Sequence, residues 1–346
     1  MHVGVILALT IRGLAVASYD DMRHVAARAE SLGFDSIWLC DHFLTLAPDA
    51  YVANAGIAGA AAPAREATDR RPPGAASGAQ SMPLLECWTA LSALARDTGR
   101  LRLGTSVLCI SYRLPSVLAK MAATLDVISD GRLELGLGAG WFEREYRAYG
   151  IPFPRIGERI AQLDEAVEII RAMWTAERPT FSGKHYAIED AVCDPRPRQQ
   201  PHPPIWIGGE GDRVHRVAAR AADGINVRWW SPERVAARAA FLDAACREHG
   251  RDPRTLRRSV TALLALDRDS ERAHAVRGRF AAIPAEGHIA GTPERCLAQL
   301  RRYLAAGVRH VLLSIPDVAS SDALELAGRE VLPALRHEAA RTKEPA

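Results

Sequence analysis

The stretch Leu133–Tyr149, LELGLGAGWFEREYRAY, decides the fold, because an apolar strand pattern ends there at Gly138-Ala139-Gly140. A largely apolar strand predicts a parallel sheet covered by helices, and such sheets bind ligands at the carboxyl ends of their strands. Small residues at a strand end let a flat ligand approach the backbone. We therefore expect a ligand site directly after Gly138. An ordinary strand-to-helix turn is the alternative.

Short apolar runs and longer helical segments alternate from one end of the chain to the other. The predicted strands are Val3–Leu9, Ser36–Cys40, Leu101–Leu108, Leu133–Gly138, Ile205–Gly208, Gly224–Val227, Ser259–Leu266 and His310–Ile315. This alternation predicts an α/β protein with a (β/α)8 TIM barrel, formed by residues 1–346 as a single domain. A doubly wound open sheet is the alternative, but no second domain is visible.

Two insertions interrupt the repeat. The first, Leu44–Pro83 after strand 2, is rich in Ala, Gly and Pro, so we expect an irregular segment that acts as a lid over the barrel mouth. The second, Pro179–Pro204 before strand 5, contains a hairpin-like TFSGKHYAI and a stiff proline-rich return.

Composition narrows the function classes. The 346 residues are 48% hydrophobic and 25% charged, which is typical of a soluble globular protein. The net charge of +3 comes from 44 basic and 41 acidic residues mixed along the chain, so we expect no nucleic-acid partner. The first residues lack the features of a signal peptide or a membrane span, which predicts a cytoplasmic protein.

The six cysteines are widely spaced, without a CxxC pair or a nearby His, so we expect reduced thiols and no metal site. Cys109 follows a strand and could serve as a nucleophile, but a small buried residue is the preferred interpretation.

Asp41 and His42 follow the second strand, at the face that carries the active site in barrel enzymes. A histidine there can donate or accept a proton; a loop-anchoring hydrogen bond is the alternative. Gly208, Gly209 and Gly211 precede a predicted helix whose free N–H groups suit a phosphate, although a plain turn would have the same sequence.

Other polar residues follow strands as well. Thr105 and Ser106 offer hydroxyls beside a backbone that could contact a heterocycle. Glu143 and Glu145 are carboxylates near the rim, and each is interpreted first as a solvated surface acid. Glu143 is kept as a candidate catalytic carboxylate.

Together these pieces resemble the luciferase-like monooxygenase superfamily, and within it the branch of oxidoreductases that depend on the deazaflavin coenzyme F-420 (F420). The matching segments occur in family order over nearly the whole chain: SLGFDSIWLCDHF, RLRLGTSVL, LAKMAATLDVISDGRLELGLGAGWFEREYRAYGIPF, PPIWIGGEG with RAADGI, and GTPERCLAQLRRYLAAGVRHVLL.

The resemblance implies an enzyme that transfers a hydride between F420 and a small organic substrate. The alternatives are a monooxygenase that uses reduced FMN and dioxygen, and a non-catalytic flavin-binding barrel. By the same resemblance a second copy of the chain is the expected partner, in a homodimer.

The resemblance also assigns roles. Asp41 would contact the ring or its side chain, and His42 would donate the proton. Ser106-Val107 would form a non-prolyl cis peptide beneath the ring. The remaining cofactor contacts would come from Gly138, Ala139 and Gly140, which line the ring, and from Gly208, Gly209 and Gly211, which bind the phosphate region.

One departure concerns the substrate. Sugar-phosphate dehydrogenases of this branch carry an acidic residue in the glycine-containing turn, where this chain has Trp141 after Gly140. The resemblance therefore does not extend to a sugar-phosphate substrate.

Overall fold

A computed structural model describes residues 1–48, 50–51 and 82–341 of the chain. Its strands are β1 (His2–Ala8), β2 (Ser36–Leu39), β3 (Arg102–Thr105), β4 (Leu108–Cys109), β5 (Leu133–Gly138), β6 (Phe181–Ser182), β7 (Ala187–Ile188), β8 (Ile205–Gly208), β9 (Gly224–Arg228), β10 (Arg257–Leu266), β11 (His288–Gly291) and β12 (His310–Ser314).

The helices are α1 (Tyr19–Ser31), α2 (Cys87–Asp97), α3 (Pro115–Ile128), α4 (Glu143–Ala148), α5 (Ile156–Thr175), α6 (Asp212–Ala221), α7 (Pro232–Glu248), α8 (Ser270–Gly278), α9 (Pro293–Ala305), α10 (Ala323–Leu326) and α11 (Leu332–Arg341). A π-helical turn, Ala327–Val331, joins the last two.

Eight parallel strands close into a ring in the order β1-β2-β3-β5-β8-β9-β10-β12, and β12 pairs with β1. This confirms the predicted (β/α)8 barrel. Two of the surrounding helices begin at side-chain N-caps. The hydroxyls of Ser18 and Ser231 accept hydrogen bonds from backbone N–H groups in the first turns of α1 and α7. All eight predicted strands are present in the ring.

Two details differ from the prediction. The expected strand Leu101–Leu108 is split into β3 and β4, and the Ser106–Val107 peptide between them is cis. The sequence pattern also missed β11, a short strand that pairs with the carboxyl end of β10 through Leu263–Leu266. β10 is long enough to pair with β9 and β12 and then continue past the ring.

The insertion before strand 5 forms the predicted hairpin, in which β6 and β7 are antiparallel. Of the insertion Leu44–Pro83, residues 49 and 52–81 lie outside the described part of the chain, so the lid stays a prediction. No helix within residues 1–48, 50–51 and 82–341 is long and apolar enough to cross a membrane. The single domain and the homodimer also stay predictions.

The barrel interior is closed at the amino-terminal end of the strands by a polar and aromatic floor. Trp38 Nε1 donates to Ser36 Oγ at 2.8 Å, so the Ser36 hydroxyl is free to donate to His310 Nε2, 3.3 Å away. His310 is therefore a neutral acceptor, and burial lowers its pKa to about 3. This end of a barrel contributes stability rather than chemistry.

Buried neutral histidines predict an acid-sensitive fold. Burial lowers the pKa of His215 and of His288 to about 4. Below about pH 6.5 the unfolded chain therefore binds protons that the folded chain excludes, and the unfolding free energy should fall as pH falls from 6.5 toward 4, by up to about 1.4 kcal/mol per histidine per pH unit. Urea unfolding at pH 7, 6 and 5 measures this slope.

His288 isolates the effect, because neither of its ring nitrogens has a hydrogen-bond partner among the described residues. His288→Leu should make the slope shallower, and substitution of the exposed His24 by Gln is the matched control. Equal slopes in wild type and His288→Leu would contradict the expectation.

Candidate functional site

A cavity of about 330 Å³ opens at the carboxyl ends of the barrel strands. It brings together every site residue predicted from the sequence except Ser106 and Glu143: Asp41, His42, Val107, Gly138, Ala139, Gly140, Gly208, Gly209 and Gly211. Ser106 lies buried beside it, where its carbonyl accepts a hydrogen bond from Cys40 Sγ at 2.9 Å. The Ser106–Val107 peptide is cis, as the resemblance implied.

The Val107 side chain forms part of the cavity floor and explains two of the glycines. A Cβ at Gly138 would lie 2.6 Å from one Val107 methyl group, and a Cβ at Gly208 would lie 2.7 Å from the other. The space that we assigned to a ligand at Gly138 is thus occupied by a protein side chain. Val107, rather than these glycines, presents the apolar surface to the cavity.

The two other glycines of the turn after β8 differ from each other. Gly209 has a φ of +149°, and a Cβ there would lie 2.9 Å from Val214. Gly211, the N-cap of α6, has a φ of −83° and nothing within 4 Å of its Cβ position. At Gly211, which also lines the cavity, the space beside the backbone is therefore open.

The turn is held by a histidine of fixed tautomer. Arg238 Nε donates to His215 Nδ1 at 2.8 Å, so the proton of the neutral ring is on Nε2, 3.1 Å from the Gly209 carbonyl oxygen. Burial and the nearby Arg238 lower the pKa of His215, which keeps this arrangement neutral. The amino end of α6 then faces the cavity with N–H groups that have no acceptor within the helix.

His42 and Glu145 form a buried pair at the opposite side of the cavity. His42 Nδ1 lies 2.8 Å from Glu145 Oε2, and the Glu145 side chain is fully buried. The same carboxylate accepts the N–H groups of Phe43 and Leu44 at 2.7 and 2.9 Å and the Tyr112 hydroxyl at 3.0 Å. Surrounded by donors, Glu145 fixes the His42 proton on Nδ1 and leaves Nε2 as the acceptor.

Tyr112 remains a donor in this network, because burial raises the pKa of its phenol, as do Cys109 and Glu145 nearby. Burial also raises the pKa of Cys109 to about 11, so this cavity residue is a thiol at neutral pH. That agrees with its interpretation as a small buried residue rather than a nucleophile. All six cysteines are buried and free.

The two rim carboxylates have opposite environments. Glu143 lies on the exposed side of α4, paired with Arg147 at 2.6 Å, and does not line the cavity. The interpretation of Glu145 as a solvated surface acid was wrong, since the start of α4 turns this residue inward against His42. Trp141 lines the cavity beside His42, and the two rings pack edge-to-face with their centroids 5.3 Å apart.

Asp41 lines the cavity but directs its carboxylate into the protein. Arg113 binds it through two nitrogens, at 2.7 and 3.0 Å, and the Cys109 N–H donates to it at 3.0 Å. Arg113 also binds Glu86 at 2.6 Å. Asp41 therefore fixes the backbone just beyond the cis peptide and has little capacity left for a ligand.

Several further lining residues were not predicted, among them Asn226, Arg228 and Tyr51. Asn226 and Arg228 extend from β9, whose predicted end fell one residue before Arg228, and Tyr51 lies within the insertion after strand 2. Alternation along β9 was a usable signal for the first two: Ile225 and Val227 pack outward against the helices, so Asn226 and Arg228 point into the barrel.

Comparison with known proteins agrees with this architecture. The luciferase-like monooxygenase family matches residues 69–289. The chain belongs to this family.

Among its relatives is an F420-dependent glucose-6-phosphate dehydrogenase of Microbacterium testaceum (strain StLB037), 30% identical, with 89% of this chain and 91% of that protein aligned. Solved structures with the same luciferase-like fold include an F420-dependent secondary alcohol dehydrogenase in complex with an F420-acetone adduct (TM-score 0.75, 20% identity, 97% and 99% of the two chains). Another is a riboflavin lyase with modified FMN and riboflavin (TM-score 0.76, 15% identity, 98% and 92%).

Proposed function

We propose that this protein is an F420-dependent oxidoreductase that transfers a hydride between the deazaflavin and a small organic substrate. The observation that carries the proposal is that one cavity joins the His42–Glu145 pair to the open turn at Gly211. The names of the relatives favour F420 as the cofactor.

The residues present fit such a cofactor. The open space at Gly211 and the N–H groups of the first turn of α6, which have no acceptor within the helix, together form what we call the anion cradle, and they suit an anionic tail. The apolar surface formed by Val107 and Ala139 suits a ring. When bound, F420 supplies a deazaflavin ring that accepts or gives up a hydride.

The protein's own part in the reaction is proton transfer and orientation. For the oxidation of an alcohol, His42 Nε2 accepts the hydroxyl proton as the carbon loses its hydride; for a reduction it returns the proton. Glu145 stabilises the imidazolium that forms, because its carboxylate is buried 2.8 Å from Nδ1. Trp141, which packs on His42, and Tyr51, which packs on Trp141, add apolar surface that would keep water from the reacting atoms.

A reduced-FMN monooxygenase is the second candidate, since the same anion cradle suits the FMN phosphate and a structural neighbour holds modified FMN. A non-catalytic barrel is the third. Fluorescence titration of the purified protein with F420 and with FMN separates the first two, because it shows which cofactor binds. Binding of F420 and not FMN excludes the monooxygenase, since deazaflavin does not readily form an oxygen adduct. Turnover of any substrate excludes the third.

The anion cradle can be tested by a substitution at Gly211. Gly211→Val should lower cofactor affinity at least about 10-fold, which is about 1.4 kcal/mol, by placing a branched side chain in the open space. The fold should survive, because φ is −83° and no atom lies within 4 Å. The measurements are the fluorescence titration and the thermal midpoint.

Gly99→Val is the matched control, since Gly99 is exposed and its Cβ position is equally open. Gly209→Val would not test the cradle, because the clash with Val214 and the positive φ disturb the turn itself. Unchanged cofactor affinity in folded Gly211→Val would remove the cofactor tail from this site.

A further inference from the structure

Arg228 is a cation in the cavity that has no anionic partner among the described residues. It is the one Lys or Arg among the described lining residues, and none of the described carboxylates lies within ion-pair distance of it. The cavity acids Asp41 and Glu210 have other partners, Arg113 and Arg234. A guanidinium that is turned into a cavity and left without a carboxylate is a site for an anion.

The geometry of Arg228 suits a carboxylate. Its Nη1 donates to the Tyr51 hydroxyl, and its Nε and Nη2 have no partner among the described residues. These two nitrogens form the planar fork that binds both oxygens of a carboxylate. A single monocation matches a monoanion better than the dianion of a phosphate monoester.

Successive aromatic contacts connect Arg228 with His42, the proposed proton-transfer residue. Its guanidinium lies 5.8 Å from the Tyr51 ring centroid, Tyr51 packs edge-to-face on Trp141 at 5.4 Å, and Trp141 packs on His42 at 5.3 Å. Arg228 and His42 also line the same cavity of about 330 Å³, so an anion on Arg228 and a hydroxyl at His42 can belong to one molecule.

We propose that the substrate is a small hydroxy acid or the matching oxo acid, held by its carboxylate on the Arg228 fork. This deepens the proposed function and rests on it. In the oxidation, the carbinol carbon loses a hydride to oxidised F420, the hydroxyl proton passes to His42 Nε2, and the C–O bond becomes C=O. The reduction is the reverse.

The test compares matched charged and neutral probes on the cofactor-loaded full chain. Linear 2-, 3- and 4-hydroxy acids and their primary amides have the same shape and differ in charge. For the best acid, wild type should prefer the acid over its amide in kcat/KM by roughly 10–100-fold, the range expected for a hydrogen bond to a charged group. Arg228→Met should reduce this preference to near unity.

Arg228→Lys should keep part of the preference, because it retains the charge and loses the fork. The matched control is Arg144→Met at an exposed site, which should keep the wild-type preference. A second readout needs no turnover: the preferred acid should quench tryptophan fluorescence in wild type at concentrations that leave Arg228→Met unchanged. If Arg228→Met does not fold, Arg228→Gln, which removes the charge and the fork but keeps a polar side chain, gives the same comparison.

Several outcomes would overturn the inference. One is equal use of acids and amides by wild type, and another is preference for a phosphate monoester such as glycerol phosphate. A third is an Arg228→Met protein that loses F420 affinity and keeps the acid preference, which would assign Arg228 to the cofactor tail. In each of these cases the proposed function stands. Absence of F420 binding by wild type would remove the proposed function and this inference together.

Discussion

Replacing His42 with alanine should lower turnover by about 10²–10⁴-fold while F420 affinity changes little, because the variant loses the one atom that exchanges the substrate proton. The fold should survive, since the Phe43 and Leu44 N–H groups and the Tyr112 hydroxyl still satisfy Glu145. Steady-state kinetics with F420 and a cofactor titration measure the two quantities. Turnover within a few-fold of wild type would show that His42 does not exchange the substrate proton.

Glu145→Gln tests the positioning of His42. The amide nitrogen would donate where the carboxylate accepts, so the His42 proton would move to Nε2 and the base would face away from the substrate. A wrong tautomer in a comparable dyad costs about 10⁴ in rate. We expect a fall in kcat with little change in KM, a split that general loss of structure would not produce. Glu143→Gln tests the sequence-based assignment, and we expect no change from it.

Replacing Asp41 with alanine should destabilise the fold by about 1.5–3 kcal/mol, because the buried Arg113 loses its bidentate hydrogen bonds to a carboxylate and keeps only Glu86. The Cys109 N–H loses its acceptor at the same time. This loss is a large share of a typical unfolding free energy of about 5–15 kcal/mol. Urea unfolding of the full chain measures it.

The control for Asp41→Ala is Glu248→Ala, which breaks an exposed ion pair with Arg216 at the end of α7. That variant should unfold at the wild-type urea concentration, since exposed pairs contribute little. An Asp41→Ala protein with the unfolding free energy of wild type would mean that the Asp41–Arg113 contact does not stabilise the fold.

The barrel was predictable because its signal is repeated. Apolar runs mark each strand, and alternation with helical segments allows few other folds, so the ring closed as expected. The positions directly after strands, such as Asp41-His42 and Gly208-Gly209, could be placed at one face for the same reason. This rule locates a site to within a few residues of each strand end and no further.

The orientation of individual side chains at that face was not predictable. Glu143 and Glu145 are two residues apart in a helix of six residues, and only the packing of α4 decides which of them meets His42. Tyr51 reaches the cavity from an insertion without a regular pattern. The partners of Asp41 lie far along the chain, so its ion pair with Arg113 has no local sequence signal.

The contact of Val107 with Gly138 and Gly208 couples three positions on three neighbouring strand ends. In related sequences these positions should covary: a residue smaller than valine at 107 would permit alanine at 138 or 208, and alanine there would exclude valine. A redesign library that randomises Gly138 alone would consist mostly of misfolded members. One that varies the three together could change the curvature of the cavity floor while leaving the proton-transfer pair untouched.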